Sequence, residues 1–309
     1  MIQMFTQIVS PRNRKATFTI VILLFIVLTT IPDGSGVSQE PSSSPSDLSE
    51  INVVVYGDVG VLSSSTQALE NMFLWMNATV NIVYAFQIQN GTLDSYDLIA
   101  FPGGSAPIYF QSLGDEGLDI VRDFVRNGGS YFGICGGSMF GTNTGLGLFN
   151  GTYSNAINGS GTYLTEIYVN RNSTGPDLTT EPESYQTLYW ASAYFYSDDM
   201  SNVIPLSTYP SNDRPGMIAL TYGDGTVFLS SPHPEYKEGD SRDGVTLYDE
   251  FDDPDSEWGL LLKVSRWLID ESRPQVVQEG IQFTTYLVLG TVGLLGLIVS
   301  IYLVRSRSS

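Results

Sequence analysis

The chain has 309 residues, 42% of them hydrophobic and 12% aromatic, enough apolar material for a sizeable core and too much for a disordered segment. Its 33 acidic residues against 14 basic ones leave a formal charge of −19, which disfavours nucleic acid and anionic lipid surfaces as partners of the folded part. One cysteine, Cys135, and one histidine, His233, exclude intrachain disulfides, cysteine-based metal clusters and multi-histidine metal centres.

Residues 16–31 (ATFTIVILLFIVLTTI) carry no charge and follow Arg12, Arg14 and Lys15. At about 1.5 Å per residue the run spans about 24 Å, short of a hydrocarbon core of about 30 Å. A basic stretch followed by a short apolar one reads as a secretory signal peptide or an uncleaved signal anchor, so residues 1–32 are expected to be a cytoplasmic basic stub plus that segment. Residues 33–50 (DGSGVSQEPSSSPSDLSE) are Ser/Pro-rich without periodicity and read as a linker.

The texture changes at Ile51. Residues 51–56 (INVVVY) form a continuous apolar run of the kind found in buried parallel strands. Residues 63–75 have helical spacing, with Ser64, Ser65 or Thr66 as N-cap candidates. Residues 80–88 read as a second strand, and Leu98–Phe101 as a third that ends in Pro102-Gly103-Gly104-Ser105. An amphipathic helix over residues 117–125 is closed by Asn127-Gly128-Gly129, and the next strand, Ser130–Ile134, runs into Cys135. This alternation predicts an α/β fold with a doubly wound, mostly parallel sheet.

Residues 145–211 are rich in Thr, Tyr and Asn and read as β-rich with long loops. Residues 217–222 and Gly225–Ser230 form a hairpin-like pair, and the second strand delivers Ser231-Pro232-His233-Pro234-Glu235. An acidic loop, residues 249–257, precedes a last amphipathic helix over residues 258–270. That loop has the composition of a cation site but lacks EF-hand spacing; it reads as a solvated turn, and no metal and no cofactor are expected.

Residues 283–304 (FTTYLVLGTVGLLGLIVSIYLV) contain no charge and are followed by Arg305 and Arg307. About 33 Å of helix suits a membrane span, and the basic tail (305–309) predicts a cytoplasmic C-terminus. The body between the two apolar runs is then expected outside the cytoplasm. Five N-x-S/T sequons, at Asn77, Asn90, Asn150, Asn158 and Asn172, fit a glycosylated external domain.

The chemistry centres on Gly133-Ile134-Cys135-Gly136-Gly137. Small neighbours are what a nucleophile on a sharp strand-to-helix turn requires; the alternative is a small buried apolar side chain. A thiol acts as thiolate, which a nearby imidazole and a helix N-terminus both favour. His233 follows a strand, where doubly wound sheets place their ligands, and Glu235 stands two residues on, able to orient the ring. Backbone N–H groups of Gly104 or Ser105, and of Gly136, are the candidates for an oxyanion hole.

Taken in order, PGG, then GICGGS, then HPE resemble the class I glutamine amidotransferase-like superfamily, with its flavodoxin-like sheet. More narrowly, VYGDVGVLSSSTQALE, the run from DLIAFPGG to GICGGS, and VFLSSPHPE resemble the biotin–protein ligase N-terminal domain, here as residues 51–272. The resemblance implies Cys135 as nucleophile, His233 as base, Glu235 as its partner, and Gly104 and Gly136 near the oxyanion. It implies no biotin chemistry, since the chain shows no ligase domain and no GRGRR-like adenylate loop.

Amidotransferases of this type feed ammonia to a synthetase, and no synthetase is present here. The expectation is therefore a membrane-anchored Cys-His-Glu hydrolase acting on an amide, peptide or ester through a thioacyl intermediate, with a small molecule or peptide as substrate. The alternatives are a non-catalytic ligand-binding or scaffold module on the same fold, and a thiol redox sensor, which the lack of a resolving cysteine disfavours.

Overall fold

The computed structural model describes residues 47–237, 242–251, 253 and 255–272. The signal or anchor segment, most of the linker, the apolar run at 283–304 and its basic tail lie outside the described residues. Among the described residues, no helix is long and apolar enough to cross a membrane. The packed body begins before Ile51: Leu48 is fully buried and its N–H donates to Met76 O at 2.8 Å. The last residues of the expected linker are thus part of the fold, because a leucine there finds the apolar end of the first helix.

Nine strands form one sheet in the order β2-β1-β3-β4-β11-β10-β9-β6-β7. The first half of the chain supplies β1 (Asn52–Tyr56), α1 (Ser63–Trp75), β2 (Thr79–Val83), α2 (Ala85–Gln89), β3 (Leu98–Phe101), α3 (Ala106–Arg126), β4 (Ser130–Ile134) and α4 (Gly136–Phe140). The second half supplies β5 (Thr152–Tyr153), β6 (Thr162–Val169), β7 (Ser184–Trp190), β8 (Phe195–Tyr196), β9 (Val203–Thr208), β10 (Pro215–Tyr222), β11 (Gly225–Ser230) and α5 (Trp258–Ser272). Strands β2, β1, β3, β4 and β11 pair in parallel. Beyond β11 the sheet continues through antiparallel pairs.

Strands β1, β3, β4 and β11 are buried on both faces, which is why they read as largely apolar runs, while the edge strand β2 is mostly exposed or half-buried. In β1, Val53 and Val55 face α1 and α5, while Val54 and Tyr56 face the core built with α2, α3 and α4. β3 divides the same way, Leu98 and Ala100 against Ile99 and Phe101. Aromatic rings fill both layers: Phe132 lies 5.3 Å from Phe73 and 4.6 Å from Phe228, and Phe101 stacks on Tyr56 at 4.8 Å. Truncating such a ring typically costs about 3–5 kcal/mol.

Two local expectations change. The strand expected over residues 80–88 ends at Val83, and Ala85–Gln89 is helical. The turn is fixed by Asp58, whose Oδ2 accepts the Ala85 N–H at 2.9 Å, and by Gln87, whose Oε1 accepts the Tyr84 N–H. The helix expected over residues 117–125 is the second part of α3, which starts at Ala106 and breaks at Gly114 (φ 59°).

The order 2-1-3-4-5 of the parallel block is that of a flavodoxin-like sheet, with its reversal between β1 and β3. Connections leave the two sides of that reversal in opposite directions and open a crevice at the C-terminal strand ends. The segments after β1, β3, β4 and β11 meet there.

Candidate active site

Cys135 follows β4 directly and has φ 49° and ψ −112°. A side chain in this region costs of order 1 kcal/mol or more, and the conformation lifts the thiol out of the strand into the crevice. The turn is held from three sides. The Cys135 N–H donates to Ser230 O at 2.8 Å, the Met139 N–H to Cys135 O at 3.0 Å, and the Ser138 hydroxyl to Cys135 O at 2.7 Å. Cys135 is partly exposed, unlike an inert core thiol.

His233 and Glu235 are buried, at 1% and 0% exposure. The His233 backbone N–H donates to Leu188 O at 2.9 Å, pinning the loop after β11 to β7. The ring sits between Trp190 and Tyr236, with centroids 5.8 and 5.5 Å away. Nδ1–H donates to Glu235 Oε1 at 2.9 Å. Nε2 is buried, with no nitrogen or oxygen partner among the described residues, and the group it interacts with is the Cys135 thiol.

Charge couples the pair. Burial raises the Cys135 thiol, but the adjacent His233 charge and hydrogen bond, with the Gly136 N–H, outweigh it despite Glu235; the net shift is downward. Burial lowers His233, yet Glu235 and Cys135 hold its pKa well above the usual imidazole value. The arrangement favours a thiolate–imidazolium pair.

Gly104, with φ 150°, lies against Gly136: a Cβ on Gly136 would fall 2.1 Å from Gly104 O. Among the described residues no oxygen accepts the N–H of Gly104 or of Gly136. The Ser105 N–H, the other expected donor, is already bonded to Gly60 O at 2.9 Å. Ser105 is therefore unavailable, because the loop after β1 bridges to Gly104 and consumes that N–H.

The sequence marks Ser65 only as a candidate helix cap. In the structure the N-cap position is Leu62, and Ser65, fully buried on α1, has another task. Its hydroxyl donates to Glu235 Oε1 at 2.7 Å and accepts the Gly103 N–H at 2.8 Å. Trp258 adds a second tie, its indole N–H donating to Glu235 O at 2.9 Å. A continuous chain thus runs from the PGG turn through Ser65 and Glu235 to His233.

A cavity of about 360 Å³ opens between α3 and α4, lined by Ala106, Pro107, Phe110, Met139 and Tyr153 among others and by none of Cys135, His233 and Glu235. It follows the residues after Gly104 and after Cys135. A larger cavity, about 620 Å³, lies at the opposite strand ends around Asp97 and Gly129, away from the thiol.

Residues 51–146 match the family model described as "Biotin-protein ligase, N terminal". The chain is 26% identical over 231 residues to the biotin–protein ligase of Schizosaccharomyces pombe, covering 66% of this chain and 36% of that protein. It thus spans about a third of that relative's length. It is also 28% identical over 217 residues to an uncharacterized protein of Chlamydia muridarum, covering 60% of this chain and 80% of that one. Among solved structures, a glutamine amidotransferase from Thermotoga maritima aligns with a TM-score of 0.47 at 13% identity, over 72% of this chain and 95% of that one. Over residues 51–146, then, the chain is similar to the biotin–protein ligase N-terminal family.

Proposed function

We propose that this protein is a cysteine-dependent hydrolase of amides, peptides or esters, with Cys135, His233 and Glu235 as its catalytic triad. The observation that carries the reading is the activated thiol. It stands on a left-handed turn in a crevice, beside an imidazole whose other nitrogen is fixed by a buried carboxylate. A cysteine kept only for packing needs neither feature.

In this proposal the Cys135 thiolate attacks the acyl carbon and forms an S–C bond. The carbonyl electrons move to oxygen, for which the N–H groups of Gly104 and Gly136 are the donors. His233 passes its proton to the leaving nitrogen or oxygen, and the amine or alcohol departs. Water then attacks the thioester, giving its proton to His233 Nε2. Collapse expels the thiolate and releases the carboxylic acid. Glu235, held by Ser65 and His233, keeps the ring in the productive tautomer.

The same proposal places the body outside the cytoplasm, anchored by residues 283–304. The basic flank of Arg305 and Arg307 supports that topology, as does the exposure of all five sequon asparagines.

The test uses the full chain with p-nitrophenyl acetate as a generic acyl donor. A triad predicts acetylation at Cys135 faster than that of free cysteine at pH 7, followed by deacylation. Cys135→Ser and His233→Ala should each lose at least about 100-fold in rate. A chain that reacts no faster than free cysteine, or whose biological role survives Cys135→Ala, is a binding module instead.

A further inference from the structure

Strand β7 sets its residues alternately on the two faces of the sheet, so Leu188 and Trp190 share a face. Leu188 packs with Ala68 and Tyr236, and its carbonyl accepts the His233 backbone N–H at 2.9 Å. Two residues on, the half-buried Trp190 brings its indole to 5.8 Å from the imidazole, centroid to centroid, inclined by 35°. Tyr236 stands 5.5 Å from the same imidazole at the same inclination. Both rings are held in place. Tyr236 Oη lies 2.7 Å from Ser64 Oγ. Tyr248 meets the indole nearly at right angles, 5.7 Å away, and Phe251 stacks on Tyr248 at 5.6 Å. Two residues here adopt the left-handed backbone that side chains disfavour: Ala191, next to Trp190, at φ 47°, and Tyr248 at φ 71°. Such strain persists only where the surroundings over-determine it, and it collects at functional sites.

A neutral imidazole gains little from flanking rings beyond burial. An imidazolium gains the attraction of their negative faces, which acts within about 6 Å of the centroid, is greatest for tryptophan and strengthens where water is excluded. The charged partners facing His233 are Cys135, from the turn after β4, and Glu235, from its own loop. The other elements packed around it bring the uncharged Leu188 and Trp190 of β7, Gly103 of the turn after β3 and, against Glu235, Ser65 of α1; Tyr236 adds a phenol.

We infer that Trp190, seconded by Tyr236, is a positioning residue of the thiolate–imidazolium pair: its ring stabilises the His233 cation and, through it, the Cys135 anion. The inference rests on the proposed catalytic pair and names what keeps that pair charged in a buried place. Losing the ring and uncovering the imidazole act in opposite directions. Without the ring the imidazolium is less stable, and the thiol titrates higher. Water admitted to the site would relieve burial and bring the thiol down.

The test follows iodoacetamide alkylation of Cys135 against pH in the full chain. Trp190→Leu keeps an apolar cover without the ring, and its inflection should lie about one pH unit above wild type. Trp190→Phe restores a weaker ring and should fall between the two. Trp190→Met replaces the leucine variant if that chain fails to fold. An inflection in the ringless variants that matches wild type, or lies below it, overturns the inference. So does a phenylalanine variant displaced as far as the leucine one, which would make the indole a space-filling wall. A wild-type chain that inflects at or above the ordinary 9.0 would instead refute the catalytic pair itself, and this inference with it.

Discussion

Replacing Ser65 by alanine separates the proposed support of His233 by Glu235 from mere packing. The substitution removes a hydroxyl that donates to Glu235 Oε1 at 2.7 Å and accepts from the Gly103 N–H at 2.8 Å, with no solvent access to the side chain. A hydrogen bond to a carboxylate contributes about 1.5–3 kcal/mol, and a buried N–H left unpaired costs about 1–3 kcal/mol. Since both losses fall on one atom and partly relax together, the expected destabilisation is about 3 kcal/mol. For a body of this size that is a fall in Tm of about 6–12 °C. Glu235 would also hold His233 less firmly, so iodoacetamide alkylation of Cys135 at pH 7 should slow about fivefold. The readout is unambiguous because the chain has one thiol. Ser64→Ala is the matched control: its hydroxyl meets Tyr236 at 2.7 Å and does not reach Glu235, so alkylation should not change. A Ser65→Ala chain with Tm within 2 °C and alkylation within twofold of wild type would refute the wiring. A lower Tm at unchanged alkylation would reduce Ser65 to a structural role.

Two further outcomes are expected. The thiol is depressed below its ordinary value of 9.0, so alkylation against pH should inflect below 9.0, with reactivity present above the inflection and lost as pH falls through it. In His233→Ala, burial acts without its main opposing charge, and the inflection should move upward. The sign for stability follows the same shifts. The raised His233 contributes stability fully below pH 6.5, its ordinary value, and loses it as pH rises through the folded value. Gly136→Ala would bring a Cβ to 2.1 Å from Gly104 O, backbone against backbone. Denaturant unfolding should show a loss of about 3 kcal/mol, and Cys135 alkylation should fall with it.

The parallel half of the sheet was legible because β1 and β3 are apolar runs closed by Gly57 and Pro102, and β4 runs from Gly129 into the glycine-flanked Cys135. β3 and β4 fall at their expected bounds for that reason. Cys135, His233 and Glu235 stood out through scarcity and strand-end position. What the sequence concealed was set by distant partners. The end of β2 depends on Asp58, 27 residues upstream. The antiparallel extension depends on pairings such as Tyr168 with Thr208, which leave no local mark between residues 145 and 211. Ser65 lies 170 residues from Glu235, and on α1 its spacing is that of any buried helix residue. The first part of α3 was masked by exposed Ile108 and Phe110 and by the break at Gly114.

The site draws on segments scattered from residue 65 to residue 235, and its closing strand β11 joins β4 across 96 residues. Pairings of that reach form late in folding, after loop closure has been overcome. An emerging chain therefore carries a thiol near its ordinary pKa, with its imidazole partner still unsynthesised when Cys135 leaves the ribosome. Activation of the sulfur arrives with completion of the sheet. The topology thus works as a safety catch: reagents and oxidants met during synthesis find a sluggish thiol, and only the finished fold arms it.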